Sequence, residues 1–156
     1  MNQEEYLMQI GHLEKEVLAR QMEIRFLRER MERPISPGFE EHLFHSNAGD
    51  ASHVRTLSRV WQLEEELSDR CLLLERLREQ ALMAISTLSD PTDRLVLQER
   101  FLANKTYASV ARSLYVSKTT VHNWVRQAAR KMELPREPIR ISERNEQSER
   151  DEPQSL

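Results

Sequence analysis

Thr106 to Val125 read T-Y-A-S-V-A-R-S-L-Y-V-S-K-T-T-V-H-N-W-V. The stretch predicts two short helices meeting at a tight corner around Tyr115. Thr106 has the residue type of an N-cap for the first helix and Ser117 for the second. In the first, Tyr107, Val110, Ala111 and Leu114 fall on one side. Ala111 is small, as the contact residue must be where two helices cross steeply over a turn of three or four residues. In the second, Val121, Trp124, Val125 and Ala128 recur at helical spacing and should be buried. Between Lys105 and Met132 the cations are Lys105, Arg112, Lys118, Arg126, Arg130 and Lys131, with no Asp or Glu. That is where a polyanion would land.

The chemistry suits the major groove of B-DNA, about 12 Å wide, which admits one α-helix and presents a distinct donor and acceptor pattern for each base pair. A reading helix needs a polar outer face and an apolar inner one. Lys118, Thr119, Thr120, His122, Asn123, Arg126 and Gln127 supply the polar faces of the second helix. Lys118, Thr119, His122 and Asn123 lie where base edges would be met: Asn suits adenine, Lys suits guanine, and Thr donates a hydrogen bond or touches a thymine methyl. Lys105, Thr106, Arg112, Ser117, Arg126, Arg130 and Lys131 are cast as phosphate contacts that position the module. One feature departs from the usual pattern. The corner is normally Gly, and Tyr115 in a left-handed conformation costs about 1 kcal/mol of strain.

Upstream, S-D-P-T-D (Ser89 to Asp93) is a helix start, with Asp90 as cap, Pro91 at the first helical position and Asp93 in the first turn. Leu95, Val96, Leu97, Phe101 and Leu102 form the expected buried face of that helix, and Asn104-Lys105 its closing turn. Further back, Ile10, Leu13, Val17, Ile24, Leu27 and Met31 keep three-four spacing over about Glu4 to Glu32, interrupted at Arg20. Pro34 ends that helix at Arg33. Residues 34–52 hold two prolines and two glycines without a period and read as a loop, onto which Leu43 and Phe44 would dock. A second long helix is expected from His53 to Leu88, capped by Asp50 or Ser52. It presents Leu57, Val60, Trp61, Leu63, Leu67, Cys71, Leu74, Leu77, Ala81 and Ile85, with Arg70 breaking the seam. At an offset of 50, Leu13/Leu63, Glu14/Glu64, Arg20/Arg70 and Leu27/Leu77 coincide, as any two charged heptad helices tend to. Matching seams should pair as an antiparallel hairpin, a dimeric coiled coil, or both, with Arg20 and Arg70 fixing register or reaching past the seam.

Composition agrees with long, solvent-washed helices: 38% hydrophobic, 31% charged, three glycines, and a net charge of −3 over 156 residues. Residues 1–88 hold 11 basic and 16 acidic side chains, residues 89–134 hold eight and four, and residues 135–156 hold four and six. A basic module between acidic flanks points to one nucleic-acid face. The final segment has too few apolar residues to offset its ordering entropy and is expected to be a disordered acidic tail. Cys71, the only cysteine, excludes an intramolecular disulfide framework and reads as a small core residue. Glu40, Glu41, His42, His45 and His53 have ligand-like composition without a fixed frame, so no metal site is expected. No phosphate loop or nucleophile elbow occurs, and neither an enzyme nor a cofactor is expected. There is no apolar run long enough to span a membrane and no signal-peptide pattern at M-N-Q-E-E-Y, so the cytoplasm is the expected location.

Leu95 to Met132 resembles the carboxy-terminal, promoter-reading domain of bacterial sigma factors. The resemblance implies groove contacts at Lys118, Thr119, His122, Asn123 and Arg126, and a buried framework of Ala111, Leu114, Val116 and Val121. Met1 to about Leu134 is also similar to small phage- and prophage-encoded proteins of Gram-positive bacteria, in which an N-x-x-E-Y-L start opens a helical hairpin. Asn2, Glu5, Tyr6 and Leu7 match that start, and Leu88-Ser89-Asp90-Pro91 the boundary before the helix-turn-helix.

The expected architecture is all-α. Residues 1–88 form a long antiparallel helical hairpin (coiled coil) with a loop at 34–52, residues 89–134 a small three-helix helix-turn-helix domain, and residues 135–156 a tail. The expected function is sequence-specific regulation of transcription, of phage or prophage type, reading the major groove with helix 118–132. Alternatives are a phage packaging or recombination accessory subunit, and an adaptor binding RNA polymerase or a sigma factor. Double-stranded DNA is the expected partner, with a homodimer through the helical arm and RNA polymerase as further candidates, and no membrane.

Overall fold

The computed structural model describes residues 1–32 and 48–141, and every regular element among them is helical. In chain order these are α1 (Gln3–Glu32), α2 (Ala48–Ser86), α3 (Pro91–Leu97) continued by a π-helical turn (Gln98–Leu102), α4 (Tyr107–Leu114) and α5 (Lys118–Lys131). The expected loop contacts of Leu43 and Phe44 and the cluster of Glu40, Glu41, His42 and His45 lie outside the described residues. The chain divides into two compact units, one of Lys15–Leu72 and one of Met1–Glu14 with the described residues from Leu73 onward.

In the first unit α1 and α2 run antiparallel within one chain. Ile24, Val60 and Leu63 are buried between them, with Leu27, Met31 and Leu67 packed around. Each such side chain taken fully from water contributes about 1.5–3 kcal/mol. Ion pairs flank the seam: Arg28 with Glu64, Arg59 with Glu23 at 3.5 Å, Arg20 with Glu66 at 3.0 Å, and Arg70 with Glu16 at 3.5 Å. The two seam arginines therefore reach across to acids on the facing helix. Half-exposed pairs of this kind are worth about 0–1 kcal/mol each, so they choose register while the aliphatic residues supply stability. Helix α2 starts at Ala48, five residues ahead of the expected His53, so neither Asp50 nor Ser52 caps it. No proline lies between Ala48 and His53 to stop the helix extending that far. Trp61, expected among the packed positions, is exposed.

In the second unit α1 opens with a capping box. The Glu5 N–H donates to Asn2 Oδ1 at 2.8 Å and the Asn2 N–H to Glu5 Oε2 at 2.9 Å. Tyr6, Leu7, Ile10 and Leu13 then bury fully, as do Leu77, Ala81 and Ile85 of α2, and Arg78 pairs with Glu14. The N-x-x-E-Y-L start thus has a mechanical meaning: two residues cap the helix and two enter the core. Arg94 closes the end of α2, donating to the Leu88 carbonyl at 2.6 Å and to that of Ser89 at 3.3 Å.

The structure departs from expectation at the tail and at Leu95. The expected tail 135–156 is ordered over its first seven residues, because two glutamines grip its backbone. Gln80 Nε2 donates to the Glu137 carbonyl at 2.9 Å while its Oε1 accepts from the Ile139 N–H at 3.0 Å. Gln9 Nε2 donates to the Ile139 carbonyl and its Oε1 accepts from the Ile141 N–H, both at 3.0 Å. Each side-chain amide mimics one rung of a β-ladder, an ordering force that apolar content does not register. Leu95 is also exposed and not part of the buried face. Helix α3 buries Asp93, Val96 and Leu97, and the π-helical turn, in which the Ala103 N–H bonds to the Gln98 carbonyl at 2.9 Å, sets Phe101 into the core.

Candidate nucleic-acid interface

The interface is built by three caps and one corner. Asp90 Oδ1 accepts from the Thr92 N–H at 2.8 Å, with Pro91 at the first helical position. Thr106 Oγ1 accepts from the Ser109 N–H, and Ser117 Oγ from the Thr120 N–H, each at 3.1 Å. Helix α4 ends at Tyr115 with φ 56° and ψ 39°. The Val116 N–H reaches the Ala111 carbonyl at 3.1 Å and the Tyr115 N–H the Arg112 carbonyl at 3.4 Å. That is a Schellman arrangement, which requires a left-handed residue at this position. A second left-handed residue, Asn104 at φ 52°, makes the turn before α4, where the Asn side chain is well tolerated.

Beneath the corner Val110, Ala111, Val121, Val125, Ala128, Ala129 and Met132 are buried. Leu114, Val116 and Trp124, expected to be part of this framework, are half-buried. With Val121, Val125 and Ala128 fixed inward, Thr119, Asn123, Arg126, Gln127 and Arg130 occupy the opposite face of α5, a fact of helical spacing. All of these but Thr119 lie in the middle and last turns, and all are exposed. Lys118 and Arg112 are exposed as well. None of Arg112, Lys118, Arg126 and Arg130 has a carboxylate within ion-pair distance among the described residues.

The other expected contacts are engaged within the chain. Lys131 Nζ lies 3.1 Å from Asp93 Oδ2, and Asp93 is nearly buried. Lys105 pairs with Glu99. Thr106 and Ser117 use their hydroxyls as caps, and Thr120 shares a hydrogen bond with Ser117 Oγ at 2.7 Å. His122 stacks on Tyr107 with ring centroids 3.7 Å apart, and the Arg100 guanidinium lies 4.6 Å from the Tyr107 centroid. This three-layer stack sets the plane in which the exposed imidazole is offered. Tyr107, expected only on the inner side of its helix, and Arg100 take this role from packing, for which the residue types alone carry no signal.

The unit also brings α1 up to this surface. Gln3 Nε2 donates to the Met132 carbonyl at 3.2 Å, and a Cβ on Gly11 would sit 3.5 Å from Asn104 Oδ1. A recess of ≈ 270 Å³ is lined by Asn2, Gln3, Glu4, Arg126, Ala129 and Arg130. Among the described residues no His, Cys, Asp and Glu group could hold a metal ion, and no helix is long and apolar enough to cross a membrane.

A capped, left-handed corner between two helices, with a cationic outer face on the second, defines a helix-turn-helix. Residues 84–134 match the family model of Sigma-70, region 4, so this part of the chain is similar to a DNA-binding helix-turn-helix with a general role in transcription. No curated protein and no solved structure matches the chain.

Proposed function

We propose that the protein is a sequence-specific DNA-binding regulator of transcription, of phage or prophage type, that lays α5 in the major groove. It acts as a binding module in the cytoplasm and not as an enzyme. The observation that carries this reading is the outer face of α5, where Arg126, Arg130, Asn123 and Thr119 stand exposed and the arginines have no carboxylate partner among the described residues. Cations left unpaired beside a base-reading amide suit a surface meant for a polyanion with sequence. Thr119, Asn123 and Arg126 are assigned to base edges, and Arg112, Lys118 and Arg130 to phosphates.

Mobility shifts of genomic fragments with the full chain test this. Asn123→Ala should cost about 1–3 kcal/mol of affinity, confined to the preferred sequence. Arg130→Ala should weaken all sequences alike and flatten the dependence of log K on log salt by about 0.9. Both variants should keep the helical circular dichroism of the parent. A chain that retards no fragment at low salt sinks the proposal.

A further inference from the structure

Helix α1 is apolar on two opposite faces. One, with Ile24, Leu27 and Met31, packs on α2. The other carries Leu18, Met22 and Phe26, which are 58%, 55% and 60% exposed. With about 3.6 residues per turn, Met22 lies half a turn round from the packed seam. An ordinary surface helix has one apolar stripe, and a second needs its own cover. All of these residues belong to the unit Lys15–Leu72.

The flanks of the second stripe say what covers it. Lys15, Leu18, Met22, Phe26 and Glu29 follow one another at steps of three, four, four and three. The pattern reads alike in both directions about Met22, except that its two ends carry opposite charge. Lys15 and Glu29 each stand seven residues from Met22, about 10 Å along the axis, and Leu18 and Phe26 four residues, about 6 Å. Laid antiparallel on itself with Met22 on the two-fold axis, the stripe sets Lys15 against Glu29 of the second copy. Leu18 meets Phe26, and Met22 meets Met22. A parallel arrangement would oppose Lys15 to Lys15 and Glu29 to Glu29. Self-complementarity of this kind is what an isologous contact requires. Among the described residues Glu29 is held only by Arg25, at 3.3 Å across an exposed helical turn, which leaves a carboxylate oxygen for a second cation.

We infer that the outer face of α1 is a dimer interface, occupied by the same face of a second copy packed antiparallel about Met22. The inference deepens the proposed function, since a two-fold axis supplies two reading helices, but it stands on α1 alone.

Sedimentation of the full chain without DNA tests it. The wild type should dimerise at micromolar concentration. Met22→Glu should weaken the dimer at least tenfold without loss of helical circular dichroism, because Met22 is exposed. Lys15→Glu and Glu29→Lys should each weaken it, and an equimolar mixture of the two should recover a dimer, since every opposed pair is then attractive. A monomer at all concentrations, a dimer indifferent to Met22→Glu, or a mixture no better than its parts overturns the assignment, as does a stripe that captures only a different protein. A chain that dimerises as stated but retards no DNA leaves the α1 interface standing and removes the proposed function alone. A monomer that retards DNA does the reverse.

Discussion

Tyr115 carries the backbone strain of the corner. Its φ of 56° lies where an L side chain crowds its own carbonyl, and its ring, 95% exposed, gains no packing in return. The Schellman bonds from Val116 and Tyr115 hold it there. Tyr115→Gly should raise stability in urea titration by about 0.5–1 kcal/mol, the left-handed penalty of about 1–2 less the extra unfolded-state entropy of glycine. Tyr6 shows a different residue-scale effect. Burial pushes its phenol up to about 12 from 10.0, and its hydroxyl donates to Gln80 Oε1 at 2.8 Å. The folded state thus holds this proton more tightly than the unfolded chain. Its contribution to stability is intact below pH 10 and is lost as pH rises toward 12. Absorbance titration should find one phenol still protonated above pH 11, and Tyr6→Phe should remove that late step.

At the scale of elements, the segment after α5 behaves as an added rung on two helices. Gln80 serves three partners at once: the Tyr6 hydroxyl, the Glu137 carbonyl and the Ile139 N–H. Removing its amide leaves the Glu137 carbonyl and the Ile139 N–H to water and takes the partner from the hydroxyl of the buried Tyr6. Gln80→Ala should therefore speed amide exchange at Ile139 and its neighbours by about tenfold, an opening made roughly 1.4 kcal/mol easier, as expected for the loss of two or three hydrogen bonds. Exchange in α5 should change far less. The elements themselves were legible beforehand because they rest on local rules. Asp90-Pro91, Thr106 and Ser117 announced three helix starts, and each cap bond is present. The π-helical turn at Gln98–Leu102 had no such announcement. It answers the need to bury Phe101, which depends on what Phe101 meets.

For the molecule as a whole, the compact unit that contains the helix-turn-helix is not contiguous in sequence. Met1–Glu14 belongs to it with everything described from Leu73 onward. A fragment of residues 89–134 loses the Gln3 bond to Met132 and the buried residues of both long helices. It should melt well below the full chain and less cooperatively, as differential scanning calorimetry would show, and a sharp transition at the temperature of the full chain would refute this. The sequence by itself determined the all-α class, the helix boundaries at Asp90, Thr106 and Ser117, the strained corner at Tyr115 and the polar face of α5. Each follows from periodicity, capping or steric preference within a few residues. Tertiary structure alone decided that Lys105 and Lys131 meet Glu99 and Asp93, that His122 lies on Tyr107, and that Gln9 and Gln80 hold residues 137–141. Those depend on how the helices and turns between the partners bring their side chains to one place, by six residues of chain for Lys105 and Glu99 and by far more for the others, and no local preference encodes that.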